Sequence, residues 1–222
     1  MADVVIVAAH PDDEVLGCGG TIARHVNYND DVHIIFMTNG VSSRGENLQA
    51  IKNRQLAMNK SMSSLGVKSF YNFDYPDNKM DSIPLLDAVQ SIENVFKKIN
   101  PSVIYTHYFG DLNIDHQITY KAVMTASRPQ PNNSIKEIYC FEVPSSTDWL
   151  GTPQSIFHPN HFVDITKYWQ LKEIALNNYS IEMRDYPHFR SFEAIDILSK
   201  FRGSSCGLFR AEAFILIRKI VI

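Results

Sequence analysis

The sequence predicts an α/β fold in which a mostly parallel sheet is covered by helices on both faces. Three observations carry that expectation. Apolar, β-branched runs recur along the chain, the stretches between them show helical spacing, and the junctions carry turn-forming residues. Alternation of this kind implies parallel strands joined by right-handed crossovers.

Asp3 to Ala9 is a continuous apolar run, as expected of a strand buried on both sides. Glu14 to about Asn29 reads as a helix, and "VHIIFMT" (Val32 to Thr38) as a second strand. After the polar loop "NGVSSRGEN", a helix runs from about Leu48 to Leu65, with Gly66 as its expected C-cap. "VKSFYNF" (Val67 to Phe73) is a third strand and "DYPDNKMDSIP" a loop. Leu85 to Lys98 has helical period, and Pro101 marks the restart before "SVIYTH" (Ser102 to His107), the fourth strand. A helix from about His116 to Ser127, the break "PQPNNS" and a fifth strand, "KEIYCFE" (Lys136 to Glu142), follow. Beyond Glu142 the pattern loosens. A short strand is expected near His161 to Ile165, helices near Lys167 to Tyr179 and Phe192 to Phe201, and a last strand in "AEAFILIRKIV". The order implies a Rossmann-like three-layer sandwich with strands in the order 3-2-1-4-5 plus C-terminal additions.

The 222 residues suit one domain spanning 1–222, large enough to bury a core without disulfides or a structural metal. Hydrophobic residues make up 45% and charged residues 20%, which argues against disorder. A net charge of −3 provides no broad basic surface, so nucleic acid is not an expected partner. No apolar stretch approaches the roughly 20 residues that span a bilayer, and the cytoplasm is the expected compartment. Cys18, Cys140 and Cys206 are odd in number and widely spaced, which fits reduced, buried thiols. Nothing here decides between a monomer and a homo-oligomer.

The chemistry concentrates in two stretches. "VVIVAAHPDDEVLGCGG" (Val4 to Gly20) ends an apolar strand in one histidine and three acids. On its own it admits a plain reading, a helix start in which Pro lacks an orphan N–H and carboxylates complement the macrodipole. The pattern G-x-G-x-x-G is absent, so a phosphate loop is not indicated. The second stretch, "YTHYFGDLNIDHQ" (Tyr105 to Gln117), also ends a strand, and strands 1 and 4 are neighbours in the expected order. Their carboxyl ends form the crevice where ligands bind. His10, Asp13 and His116 then supply two imidazoles and a carboxylate, a ligand set for a borderline divalent ion that leaves a position open for water. Asp12 is left beside them to take a proton from that water, which makes metal-assisted hydrolysis the expected reaction class.

At these residues the chain resembles the PIG-L/LmbE-like family of zinc-dependent N-acetylglucosamine-type deacetylases. "AHPDDE", ending at Glu14, is that family's signature, and "DLNIDH" (Asp111 to His116) looks like its second metal motif. The likeness continues through "SSLGV" (Ser63 to Val67), "EVPSSTDW" (Glu142 to Trp149), "PHFRS" (Pro187 to Ser191) and "RGSSCGLFRAEAF" (Arg202 to Phe214). It implies His10, Asp13 and His116 as zinc ligands, Asp12 as general base, and an acetylated amino sugar, free or within a nucleotide sugar or glycoconjugate, as substrate. Iron(II) and other divalent ions suit the same donors. Many members carry a histidine three residues before the second metal histidine, and here that position is Asn113. An amide donates to an oxyanion but supplies no proton, which leaves the acid role open; His188, in the family-like "PHFRS" segment, is the candidate to fill it, with Asp115 to orient it, and a surface loop histidine is the alternative.

The resemblance also marks Arg54 as a substrate contact, although the usual acidic companion is missing around Ala57; a solvated helix face is the alternative. Arg44 in "GVSSRG", Glu142 at the end of strand 5 and Asp111 complete the candidate substrate contacts, against loop, anchoring and metal-loop-ordering roles respectively. Tyr108 and Trp149 are candidates to stack on a pyranose ring or to pack in the core. His25, His33, His158 and His161 have no partner cluster and read as structural. The competing functions are a metal-dependent esterase or other amidase, and a metal-binding homologue without catalysis.

Overall fold

The computed structural model describes residues 1–45, 48–131, 133–151 and 156–221. Its seven strands are β1 (Asp3–Ala8), β2 (Asp31–Thr38), β3 (Ser69–Tyr75), β4 (Val103–His107), β5 (Glu137–Phe141), β6 (His161–Asp164) and β7 (Ala211–Lys219). The helices are α1 (Asp13–Asn27), α2 (Leu48–Leu65), α3 (Leu85–Ile99), α4 (Ile114–Ala126), α5 (Trp169–Asn178) and α6 (Phe192–Ser204). Strand order is β3-β2-β1-β4-β5-β7-β6. The first five strands are parallel in the expected 3-2-1-4-5 order, and the C-terminal additions are β7, antiparallel to β5, and β6, antiparallel to β7.

β1 is the centre of the sheet, and its unbroken apolar run has two destinations. Val4, Ile6 and Ala8 face a core shared with α1, α2, α5 and α6, whereas Val5 and Val7 face a core shared with α3 and α4. Two helical layers around one sheet give the three-layer sandwich.

Boundaries shift where caps act. Gly66 takes φ +72° and closes α2 as a Schellman motif: Val67 N–H reaches back to Met62 O (3.1 Å) and Gly66 N–H to Ser63 O (3.2 Å). That closure occupies Val67, so β3 begins at Ser69. α4 starts at Ile114, two residues before His116, because Asn113 caps it through its side chain. α1 meanwhile lies close against its neighbours. A Cβ at Gly20 would stand 2.6 Å from Ile165 Cγ2, so only glycine fits there.

A buried ion pair ties α1 to α5 and β7. Lys172 Nζ donates to Leu16 O (2.9 Å) and to Glu212 Oε1 (2.6 Å), while Glu212 accepts from the N–H groups of Gly20 (2.9 Å) and Thr21 (2.7 Å). Among the described residues no helix is long and apolar enough to cross a membrane.

Candidate metal centre

Two loops at the carboxyl edge of the sheet build the site. The β1–α1 loop is anchored on both sides: Ala9 N–H donates to His107 Nε2 (2.8 Å), and Ala9 O accepts from Thr38 N–H (2.9 Å). It then turns at Asp12, whose φ of 113° is rare for a side-chain-bearing residue. Asp12 N–H is held by Glu14 Oε2 (2.9 Å), and Asp12 O accepts from Leu16 N–H (2.9 Å) as the helix begins. The β4–α4 loop is relaxed by comparison. Asn113 is extended, its Oδ1 accepting from Asp115 N–H (2.8 Å), and the cap delivers Asp115 and His116 on the first turn of α4.

Three donors converge there. His10 Nδ1 lies 3.0 Å from Asp13 Oδ2 and 3.3 Å from His116 Nε2, and those last two atoms are 3.1 Å apart. Four-coordinate zinc, with bonds of roughly 2.0–2.1 Å, sets its ligands roughly 3.3 Å from one another, so the donor triangle fits such an ion. The outer atoms of both imidazoles are also held. Asp111 Oδ1 is 3.1 Å from His116 Nδ1, and Asp115 Oδ2 is 3.1 Å from His10 Nε2, with Asp77 Oδ1 at 3.3 Å. Carboxylates behind histidine ligands fix the ring and its tautomer. His107 stacks on His116 at 3.9 Å between centroids.

The electrostatics favour positive charge. Burial opposes protonation of His10, yet Asp115, Asp13 and Asp77 outweigh it and hold the ring well above the usual histidine range. His116 is likewise opposed by burial but lifted to about 9 by Asp13 and Asp111. Against the raising effect of burial, the imidazoles keep Asp13 well below the usual carboxylate range. Such a pocket welcomes a divalent cation in exchange for protons. Among the described residues, His10, Asp77 and Asp115 form a second group close enough to hold an ion. The oxygens of that Asp115 already accept from the N–H groups of Asn78 (2.6 Å) and Met80 (3.0 Å), which favours an orienting role for that set.

Asp12 and Asp13, adjacent in sequence, face different surroundings. Burial raises Asp12 above the ordinary carboxylate range, moderated by Arg54 and Arg190. Arg54 Nη2 lies 3.3 Å and Arg190 Nη1 3.1 Å from Asp12 Oδ2, while Oδ1 is buried without a partner among the described residues. The cleft above is about 260 Å³ and is lined by His10, Asp12, Asn113, Trp149, His188 and Arg190, among others.

The remaining candidates divide. Asn113 lines the cleft, with its Nδ2 on Asn78 Oδ1 (3.1 Å). His188 lines it too, accepting Arg190 N–H on Nδ1 (3.0 Å) and standing edge-on to Trp149. Asp115 does not reach His188; it turns to His10, because the α4 cap points it into the donor cluster. Glu142 lies away from the cleft, with both oxygens on Arg202 (2.8 and 2.6 Å). Asp111 is fully buried against His116, Ser146 and Thr147 and does not line the cleft. Arg54 does line the cleft, buried rather than on a solvated face, and Glu182 provides its acidic companion at 3.0 Å. The Arg44 side chain lies outside the described residues. Tyr108 is buried against Phe157, whereas Trp149 stands exposed at the rim. Cys18 and Cys140 are buried, but Cys206 is exposed in the turn after α6.

Comparison with known proteins follows the same lines. A family model described as PIG-L, GlcNAc-PI de-N-acetylase, matches residues 5–127. An Escherichia coli K12 protein named as an uncharacterized deacetylase is 28% identical over 182 residues, covering 79% of this chain and 89% of that one. Among solved structures, the N,N'-diacetylchitobiose deacetylase of Pyrococcus horikoshii superposes with TM-score 0.79 at 22% identity, over 98% of this chain and 84% of that one. The 4-carboxy-2-hydroxymuconate hydratase of Pseudomonas putida KT2440 shares the fold as well, with TM-score 0.77 at 22% identity over 100% and 98% of the two chains.

Proposed function

The chain belongs to the PIG-L family of GlcNAc-PI de-N-acetylase type, and on that premise we propose that it is a metal-dependent N-deacetylase acting on an acetylated amino sugar, free or within a glycoconjugate. Because a hydratase shares the fold, fold alone does not choose the reaction, and the side chains must. The observation that carries the reading is the donor triangle of His10, Asp13 and His116 with the unpartnered Oδ1 of Asp12 beside it. Deacetylase relatives that act on N-acetylated sugars supply the substrate class.

His10, Asp13 and His116 would hold the ion, zinc or iron(II). When bound, such an ion polarises a carbonyl and acidifies water. Asp12 Oδ1 removes the proton from the attacking water and returns it to nitrogen as the amine departs. Arg54 and Arg190 fix the other oxygen, so the base keeps one orientation through both transfers. Asn113, whose oxygen is committed to the cap, presents Nδ2 as a donor toward developing negative charge. His188 accepts a backbone N–H on Nδ1, which leaves Nε2 to donate a hydrogen bond toward the developing negative charge, and the proton for the departing amine is the one Asp12 carries.

The test is acetate release from a panel of N-acetylated sugars, nucleotide sugars and acetyl esters, with and without chelator. Release from the amides, lost on chelation and restored by zinc or iron(II), is the expected result. Release from esters alone points to an esterase, and release from none, with metal bound, to a non-catalytic homologue.

A further inference from the structure

Asp12 offers four polar groups, and three are pinned. Its N–H is on Glu14, its carbonyl accepts from the start of α1, and its Oδ2 lies between Arg54 and Arg190. Nothing intrinsic to an aspartate favours this pose. A φ of 113° is strained outside glycine, and the residue caps α1 without a side-chain hydrogen bond. The surroundings therefore impose it.

Two of those supports meet on one side chain. Tyr179, just past the end of α5, donates its hydroxyl to Glu14 Oε1 at 2.8 Å across 165 positions of sequence. Its ring also lies beneath the Arg54 guanidinium, 5.7 Å from carbon to centroid. Tyr179 is fully buried, so its hydroxyl needs a partner, and the partner is the carboxyl that holds Asp12 N–H. The helix that delivers it is locked to α1 by Lys172 on Leu16 O.

We infer that Tyr179 is a positioning residue for Asp12, acting on its backbone through Glu14 and on its carboxylate through Arg54. The kinetic side of this inference rests on the deacetylase reading; the geometric side does not.

Tyr179→Phe removes the hydroxyl and keeps the ring, whereas Tyr179→Leu removes both supports. Crystal structures of both, with kcat, KM and bound metal measured on the best N-acetylated substrate, test the inference. Misplaced catalytic groups are costly, so kcat falls about ten-fold in Tyr179→Phe and about a hundredfold in Tyr179→Leu. KM and metal content stay at wild-type values, and Asp12 shifts relative to His10, Asp13 and His116. Glu14→Gln keeps an acceptor for Asp12 N–H and retains most of the rate. Combined with Tyr179→Phe it is no slower than Tyr179→Phe alone, since both act along one chain of bonds. A lowered melting temperature with unchanged kcat well below it, and Asp12 unmoved, overturns the inference. Should wild type release acetate from nothing while Tyr179→Phe crystals show Asp12 displaced, the deacetylase reading fails and the positioning role stands.

Discussion

The β1–α1 and β4–α4 loops do the same structural job in opposite ways. Each ends a buried strand, caps a helix and delivers a histidine or aspartate to the same point in space. The β4–α4 loop does so at ease, with Asn113 extended and its side chain closing the cap. The β1–α1 loop turns through Asp12 at φ 113° and leaves that side chain free of capping duty. On the proposed reaction, the difference marks where the base sits. A residue spent on a cap cannot also face the substrate with a free acceptor, and Asp12 escapes the cap by accepting backbone strain.

The sharpest way to break the comparison is to remove a ligand from the relaxed loop. His116→Ala is expected to abolish metal binding, by metal analysis, and to reduce acetate release to the level of chelated enzyme. Asp12→Asn, in the strained loop, should leave the metal in place and cost between about a hundredfold and ten-thousandfold in kcat. Normal turnover in that variant would remove Asp12 from the mechanism. Asp111→Asn, which weakens the grip on His116 Nδ1, should cost about 10- to 100-fold in metal affinity or activity, read from competition with a chelating dye. Asn113→Ala should cost about 1 kcal/mol by denaturant unfolding, since it removes the cap.

The smallest effect comes from outside both loops and serves as a reference. His25, near the far end of α1, is held by burial below the ordinary histidine range despite Asp30. In acid the unfolded chain binds this proton first, so the contribution is harmless above pH about 6.5 and destabilising as pH falls below it. The His25→Gln variant should lose less stability than wild type between neutral pH and pH about 5.5.

The sheet was legible because burial on both faces demands uninterrupted apolar runs, and β1, β2, β4 and β5 all have them. The pairing of β7 between β5 and β6 was not, because antiparallel partners brought together from distant segments leave no local signal. The donor triangle was legible for a related reason: its two loops end neighbouring strands. Asp77 and Asn78 lie in the loop after β3, at the same edge of the sheet, and their position beyond a strand end was the one available signal. Arg190, Glu182 and Tyr179 come from the region where strand and helix cease to alternate, so spacing places them nowhere in particular. Arg54 illustrates the limit. The family resemblance places its acidic companion one turn along α2 near Ala57, and it arrives instead from Glu182, after α5. Glu142 and Asp115 show the converse, since a carboxylate at a strand or helix end is as readily consumed by a neighbouring arginine or histidine as offered to a ligand.

Trp149 at the rim of the cleft has a practical consequence. The chain has two tryptophans, and the other, Trp169, lies beneath the Arg210 guanidinium at the start of α5. Occupancy of the cleft therefore changes the emission of one indole against a constant background from the other. Ligand affinity becomes an optical titration in a variant such as Asp12→Asn, with no turnover required.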